Sequence, residues 1–126
     1  MSPRPPFVLV VDDLEDNREL YASYFTLEGF SVDHARDGRE ALAKIEKAKP
    51  DLVLMDLEMP GMDGLEATRR LKADPHTRGI VVIVLTGRLS PDDLRDAWAA
   101  GADDICPKPF LPEEMVGRIR RVLGIA

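Results

Sequence analysis

Cysteine, long apolar runs and positive charge are all scarce in this chain of 126 residues. Its single cysteine, Cys106, cannot form an internal disulfide, which favours a reducing cytoplasm over an oxidising compartment. The longest apolar run, Ile80–Leu85, is far too short to span a bilayer. The N-terminal residues contain no apolar stretch typical of a signal peptide. We therefore expect a cytoplasmic protein that does not insert into a membrane.

The charge balance is acidic, because 17 Lys and Arg residues stand against 23 Asp and Glu residues, for a formal net charge of −6. Phosphate contacts need clustered basic side chains, and here they are spread over several segments, so we expect no direct binding to nucleic acid. The length and the apolar content of 44% are typical of one domain with one core. We expect that domain to span residues 7–124, after a disordered tail at residues 1–6.

Five short apolar runs alternate with segments of helical periodicity. The predicted strands are Phe7–Val11, Ser31–Ala35, Leu52–Met55, Ile80–Leu85 and Asp103–Cys106. The first, third and fourth runs are nearly continuous in Val, Leu and Ile, which is typical of parallel strands covered on both faces. The alternation predicts an α/β fold: a (βα)5 doubly wound parallel sheet of order 2-1-3-4-5 in a flavodoxin-like three-layer sandwich.

Capping residues indicate where the helices begin. The first helix is predicted at 14–28, with an inner face formed by Leu20, Tyr21, Tyr24, Phe25 and Leu27. Asp37 and Glu40 have the spacing of a capping box for the second helix. Asp63 and Ser90 are the predicted N-caps of the third and fourth helices, and Pro112 opens the fifth.

Polar side chains follow four of the five predicted strands. Asp12 and Asp13 follow the first strand, Asp56 the third, Thr86 the fourth, and Lys108 comes just after the fifth. With the order 2-1-3-4-5, the strand order reverses between strands one and three, and ligands bind there beyond the carboxyl ends of the strands. This topology predicts that Asp12 and Asp13 lie beside Asp56, with Thr86 and Lys108 on the far side.

Three converging carboxylates repel one another unless their pKa values rise or a divalent cation binds between them. Oxygen ligands that must also accommodate a phosphoryl group favour Mg²⁺, with Mn²⁺ tolerated and Zn²⁺ disfavoured. Asp56 is the candidate nucleophile, because a carboxylate beside such an ion can attack phosphorus and form an acyl phosphate. Lys108 would neutralise the phosphoryl oxygens, and the Thr86 hydroxyl would donate a hydrogen bond to them.

These residues resemble the receiver domain of two-component response regulators over almost the whole chain. The matching motifs are Val10-Val-Asp-Asp13, Leu54-Met-Asp-Leu-Glu-Met-Pro-Gly-Met-Asp-Gly64, Leu85-Thr-Gly87, Gly101-Ala-Asp-Asp104 and Pro107-Lys-Pro-Phe110. The resemblance implies a phosphorylation-dependent signalling switch that performs only self-phosphorylation from a donor and autodephosphorylation, and is not otherwise an enzyme. No effector domain is evident in the sequence, which fits either a stand-alone receiver or a receiver cut from a longer regulator or hybrid kinase.

The resemblance also assigns roles. Asp56 would accept a phosphoryl group from a sensor histidine kinase, a histidine phosphotransfer protein or a small acyl phosphate. Asp13 and Asp56 would ligate Mg²⁺ directly, Asp12 would act through water, and the Glu58 main-chain carbonyl would complete the protein ligands. The Lys108–Pro109 bond would be cis. Phosphorylation would alter the surface of the fourth helix, fifth strand and fifth helix, which would bind a downstream protein or form a dimer.

Several alternatives stay open. Ile105 stands where many family members have an aromatic residue, which favours a phosphorylation-independent interaction module as the second hypothesis. A phosphohydrolase is disfavoured, since no second general acid or substrate cap is evident, and a flavin carrier is disfavoured by the acidic turn after strand one. Trp98 could fill the core or project from the fourth helix. A further hypothesis pairs Glu58 with Arg88 across the site to slow loss of the phosphoryl group.

Overall fold

Five strands pair in parallel in the order β2-β1-β3-β4-β5, as predicted. The computed structural model describes residues 4–59 and 63–125. The strands are β1 Phe7–Val11, β2 Ser31–Ala35, β3 Leu52–Asp56, β4 Val81–Thr86 and β5 Asp104–Pro107. The helices are α1 Glu15–Leu27, α2 Gly38–Lys47, α3 Gly64–Ala73, α4 Pro91–Ala99 and α5 Pro112–Leu123. The predicted (βα)5 sandwich is confirmed.

The sheet is covered by helices on both faces, and its strands divide their side chains between two apolar clusters. Val8 and Val10 of β1 pack with residues of α1 and α5, whereas Leu9 and Val11 pack with residues of α2, α3 and α4. Successive side chains of a strand point to opposite faces, so each central strand contributes to both clusters. This burial on both faces explains the nearly continuous apolar runs.

β3, β4 and β5 each end one residue later than the apolar runs predict. Asp56 is the last residue of β3 and pairs in register with Leu85, and Thr86 is the last residue of β4 and pairs with Pro107. A residue with a polar side chain can be the last residue of a strand when its main chain still pairs with the neighbouring strand. Asp56 and Thr86 are therefore held by the sheet and not by a loop.

The predicted N-caps of α2, α3 and α4 are confirmed. The side chains of Asp37, Asp63 and Ser90 each accept a hydrogen bond from the backbone N–H three residues later, at 2.8 to 3.1 Å. The returning bond of the capping box differs from the prediction, because Glu40 Oε1 accepts from the N–H of Arg36, at 3.0 Å. Each cap directs the chain from the sheet edge into its helix.

The predicted inner face of α1 is partly wrong. Phe25 is fully buried and Tyr21 and Tyr24 pack against its cluster, but Leu20 is 55% exposed and Leu27 is 87% exposed. At 3.6 residues per turn, Leu20 and Leu27 lie roughly 140° to 160° around the helix from Phe25. They therefore occupy the face opposite the core, which their apolar character alone did not indicate.

The segment before β1 is attached to the sheet at its last residue. The Pro6 carbonyl accepts a hydrogen bond from the N–H of Ser31 at 2.9 Å. Residues 1–3 lie outside the described residues, and the disordered tail at 1–6 stays a prediction. Within the described residues, no helix combines the length and the apolar character that crossing a membrane requires.

Gly64 allows α3 to begin directly against the end of β3. A Cβ atom at this position would overlap the main-chain carbonyl oxygen of Asp56 and lie 2.9 Å from Met55 Cγ. Glycine is the residue that permits such a close backbone approach. The start of α3 and the position of Asp56 are therefore coupled through this contact.

We expect Gly64→Ala to lower the free energy of unfolding by about 1–3 kcal/mol, because a methyl group would be forced into backbone that cannot move freely. Gly117→Ala in α5 is the matched control. Nothing lies within 4 Å of its added Cβ, and alanine in a helix interior should stabilise by about 0.5–1 kcal/mol. Urea unfolding followed by circular dichroism measures both. Equal stability of Gly64→Ala and the unsubstituted protein would contradict this coupling.

Candidate functional site: a carboxylate cluster beside Lys108

An ion pair joins the ends of β3 and β5 across β4. Lys108 Nζ donates to Asp56 Oδ1 at 2.7 Å, although the two residues are 52 positions apart in the chain. The Lys108 backbone N–H donates to the Thr86 carbonyl at 2.9 Å, and the following bond to Pro109 is cis, as predicted. The main-chain bond to Thr86 holds Lys108 beside the end of β4.

The three acidic side chains predicted to converge do so. Asp12, Asp13 and Asp56 each place a carboxylate oxygen within 4.8 Å of the others. Asp12 and Asp56 are buried and Asp13 is half-buried. Their donor atoms are all oxygen, which suits a hard divalent cation such as Mg²⁺.

Helix α1 holds Asp12 in place through two residues that sequence reasoning missed. Asn17 Nδ2 donates to Asp12 Oδ2 at 3.1 Å, and Arg18 donates to the Asp12 main-chain carbonyl at 2.9 Å. The N–H of Leu14 donates to the other carboxylate oxygen at 2.9 Å. The signal that could have found Asn17 and Arg18 is their position in the first turn and a half of a helix that starts directly after the acidic pair.

The Glu58 side chain also belongs to the site, but with different partners from those predicted. Its Oε1 accepts from the Thr86 hydroxyl at 2.8 Å and from the Gly87 N–H at 3.0 Å, and its Oε2 lies 3.3 Å from Lys108 Nζ. The predicted pairing of Glu58 with Arg88 is therefore not present in this unphosphorylated form, and for the phosphorylated form it stays a prediction. Arg88 lines the same cleft, of about 100 Å³, and its N–H donates to Thr86 Oγ1 at 2.9 Å.

Burial and hydrogen bonding act in opposite directions on these groups. Burial raises the pKa of Asp56 to about 6, against the opposing effects of Lys108 and of the Glu58 N–H. Glu58 is less buried, and despite its desolvation the bonds from Thr86 and Gly87 hold its pKa below the usual value. Burial disfavours the Lys108 ammonium, but its bond with Asp56 raises the Lys108 pKa above the usual value. Of these three groups, Asp56 is therefore the one whose charged form the site disfavours.

The core covers Trp98, Ile105 and Cys106 to different extents. Trp98 projects from α4 and is 52% exposed, and Ile105 packs partly buried against the core cluster. Cys106 is buried within the apolar cluster that also contains residues of α1 and α5.

Comparison with known protein families identifies the domain. A family model described as the response regulator receiver domain matches residues 8–120. The chain belongs to this family. Receiver domains are signalling domains of two-component systems, and the carboxylate cluster, Thr86 and Lys108 stand where the sequence motifs predicted them.

Named relatives of this receiver domain are response regulators. Response regulator MprA of Mycolicibacterium vanbaalenii is 42% identical over 119 residues, which cover 94% of this chain and 51% of that protein. The phosphate regulon transcriptional regulatory protein PhoB of Pseudomonas aeruginosa is 40% identical over 116 residues, which cover 92% of this chain and 51% of that protein. The chain thus spans about half the length of these relatives.

Solved structures support the same assignment. The chemotaxis protein CheY4 of Vibrio cholerae superimposes with a TM-score of 0.89 at 34% identity, covering 94% of this receiver domain and 99% of that chain. The signal receiver domain of a signal transduction histidine kinase from Syntrophus aciditrophicus gives a TM-score of 0.88 at 34% identity, covering 94% and 90%. The same fold therefore occurs in structures described as a chemotaxis protein and as part of a histidine kinase.

We expect Asp56→Asn to stabilise the metal-free receiver domain at neutral pH by about 1–3 kcal/mol. Because burial raises the pKa of Asp56 to about 6, ionising this carboxyl opposes folding. The folded state holds the proton more tightly than the unfolded chain, so stability falls as pH rises from about 4 to about 6, and the full loss persists above that range. Asparagine removes the charge, and Lys108, which is partly exposed, keeps Glu58 as a partner.

Thermal unfolding in a chelator between pH 4 and pH 8 measures this effect. The difference in Tm between Asp56→Asn and the unsubstituted protein should be small near pH 4 and grow to a plateau above pH 6. Asp92→Asn is the control, because Asp92 is exposed and its pairing with Arg95 is worth little. A Tm for Asp56→Asn below that of the unsubstituted protein at pH 7 would show that the ionised Asp56 does not destabilise the fold.

Proposed function

We propose that this receiver domain is a phosphorylation-dependent switch in which Asp56 accepts a phosphoryl group. The observation that carries the proposal is the 2.7 Å contact between Lys108 Nζ and Asp56 Oδ1 beside the three-carboxylate cluster. This arrangement combines a nucleophilic oxygen, a cation for the transferred group and ligands for a metal ion. The donor would be the phosphohistidine of a sensor histidine kinase or of a histidine phosphotransfer protein.

In the proposed transfer, one carboxylate oxygen of Asp56 attacks the phosphorus atom. An oxygen–phosphorus bond forms while the bond from phosphorus to the donor atom breaks, and the donor atom keeps the electron pair. That atom is an imidazole nitrogen in phosphohistidine or an acyl oxygen in acetyl phosphate. Lys108 would neutralise charge on the phosphoryl oxygens, and the Thr86 hydroxyl would donate a hydrogen bond to them. Asp56 would thus become an acyl phosphate without any redox step.

The all-oxygen character of the cluster fits Mg²⁺, with Mn²⁺ as a substitute. Asp13 and Asp56 would be direct ligands together with the Glu58 main-chain carbonyl. Asp12 would act through water, in keeping with the hydrogen bonds that Leu14 and Asn17 already make to its two carboxylate oxygens. When bound, the ion would reduce the repulsion between the carboxylates and the incoming phosphoryl group.

The output would be a change in protein binding at the surface formed by α4, β5 and α5. Thr86 ends β4 beside β5, so a shift of its hydroxyl toward a phosphoryl group would reach this surface through one strand pair. The exposed Trp98 on α4 offers a large apolar contact for a downstream protein or a second receiver. The setting would be cytoplasmic, with no direct contact to nucleic acid by this domain.

The second candidate is a receiver that binds its partner without phosphorylation. Ile105 favours it, since this side chain packs against the core and no aromatic ring at that position can couple Thr86 to the surface. In that case Asp56 and its neighbours would be retained without acting as a switch.

Incubation with acetyl phosphate followed by intact-protein mass spectrometry tests the proposal. We expect a mass gain of one phosphoryl group on the unsubstituted chain with Mg²⁺, no gain in a chelator, and no gain on Asp56→Asn. Asp33→Asn is the matched control, since Asp33 lies in β2 away from the cluster and should leave labelling unchanged. No labelling under conditions that label another receiver domain would favour the phosphorylation-independent module.

We expect Asn17→Ala to weaken Mg²⁺ binding by about tenfold, because the amide that orients the Asp12 carboxylate would be lost. Isothermal titration with MgCl₂ measures the affinity. Leu20→Ala serves as the control on the same helix, since Leu20 is exposed and neutral. Equal affinities of Asn17→Ala and Leu20→Ala would show that Asp12 does not depend on this hydrogen bond.

A further inference from the structure

Three donors of different kinds converge on the Glu58 carboxylate. The Thr86 hydroxyl, the Gly87 N–H and the Lys108 ammonium lie 2.8, 3.0 and 3.3 Å from its oxygens. A hydroxyl, a backbone amide and an ammonium around one point form a binding site for a small oxyanion. In this structure the anion in that site is a side chain of the chain itself.

Two of these donors are the groups that a phosphoryl group on Asp56 would need. Lys108 Nζ is shared, since it also contacts Asp56 Oδ1 at 2.7 Å. Glu58 and a phosphoryl group would therefore compete for the same ammonium and the same hydroxyl. Two anions so close together would also repel each other strongly, because the site is partly shielded from water.

We propose that the Glu58 carboxylate is an internal competitor that occupies the oxyanion site and must leave before a tetrahedral oxyanion can be bound on Asp56. This inference rests on the proposed phosphoryl transfer and assigns its regulation to one side chain. Only the fraction of molecules in which Glu58 has moved out is competent, so the apparent affinity for the oxyanion falls by that fraction.

The structure provides a route for the displacement. The Glu58 side chain is 30% exposed, so it can rotate toward solvent without unpacking the core. The adjoining cleft is lined by Glu58, Thr86 and Arg88, and the Arg88 guanidinium offers a new partner to the displaced carboxylate. Glu58 and Arg88 would then pair in the phosphorylated form, even though Glu58 pairs with Lys108 in the form described above.

The test compares Glu58→Ala, Glu58→Asp and the control Glu46→Ala, in which an exposed glutamate of α2 is removed. Beryllofluoride, a tetrahedral phosphoryl mimic, is titrated with Mg²⁺ and its bound form is followed by ¹⁹F NMR. The rate of labelling by acetyl phosphate is measured in parallel. We expect Glu58→Ala to bind beryllofluoride about tenfold more tightly and to be labelled faster, with Glu46→Ala unchanged.

Glu58→Asp separates occupancy of the site from charge alone. Aspartate keeps the negative charge but is one methylene too short to reach all three donors, so it should behave like Glu58→Ala. If Glu58→Asp binds beryllofluoride and is labelled as the unsubstituted chain is, the effect of Glu58 comes from charge repulsion and not from its occupying the oxyanion site, and the proposal is overturned. Circular dichroism establishes that each variant is folded.

The failure of this inference is distinguishable from failure of the proposed function. Equal beryllofluoride affinities and equal labelling rates in the unsubstituted chain and Glu58→Ala would overturn the role of Glu58 as a competitor. They would leave the proposed phosphoryl transfer to Asp56 in place. An absence of both labelling and beryllofluoride binding in every variant would overturn both.

Discussion

Parallel pairing of the strands is the constraint on which the site depends. Because β1, β3, β4 and β5 run in the same direction, their carboxyl ends meet at one edge of the sheet. Asp56 and Thr86 are still part of the backbone ladder, and Lys108 follows directly after β5, whose four residues pair with β4. Main-chain hydrogen bonds between the strands therefore position these side chains. They bring Lys108 to within 2.7 Å of Asp56, although the two residues are 52 positions apart in the sequence.

Bringing these charged groups together at the edge of the sheet costs electrostatic free energy, which the rest of the domain must offset. Two of the three carboxylates are buried, and burial raises the pKa of Asp56 despite its contact with Lys108. A fold stabilised by two apolar clusters can tolerate these buried charges, since the electrostatic free energy that they cost is small beside the free energy gained by burying the core. The divalent cation proposed for the site would relieve the same repulsion between carboxylates, so the cost in stability and the proposed function have one source.

Much of the site could be predicted because its information is local in the sequence. Asp12, Asp13, Asp56, Thr86 and Lys108 each mark the end of an apolar run, and a parallel sheet of known order brings such ends together. The exposed leucines of α1 were misplaced because apolar character does not determine which face of a helix meets the core. The partners that Glu58 has in this structure were not predicted, because the rotamer of a flexible side chain depends on competing donors in space.

The sequence by itself determined the strand and helix order, the strand ends that carry chemistry and the family, since periodicity, capping residues and motifs act over a few neighbouring positions. Only the tertiary structure decided that Glu58 accepts from Thr86, Gly87 and Lys108, and that Asn17 and Arg18 hold Asp12. Those choices arise where separate segments meet within about 3 Å, a range at which hydrogen-bond geometry discriminates among partners that a pattern along the chain treats alike.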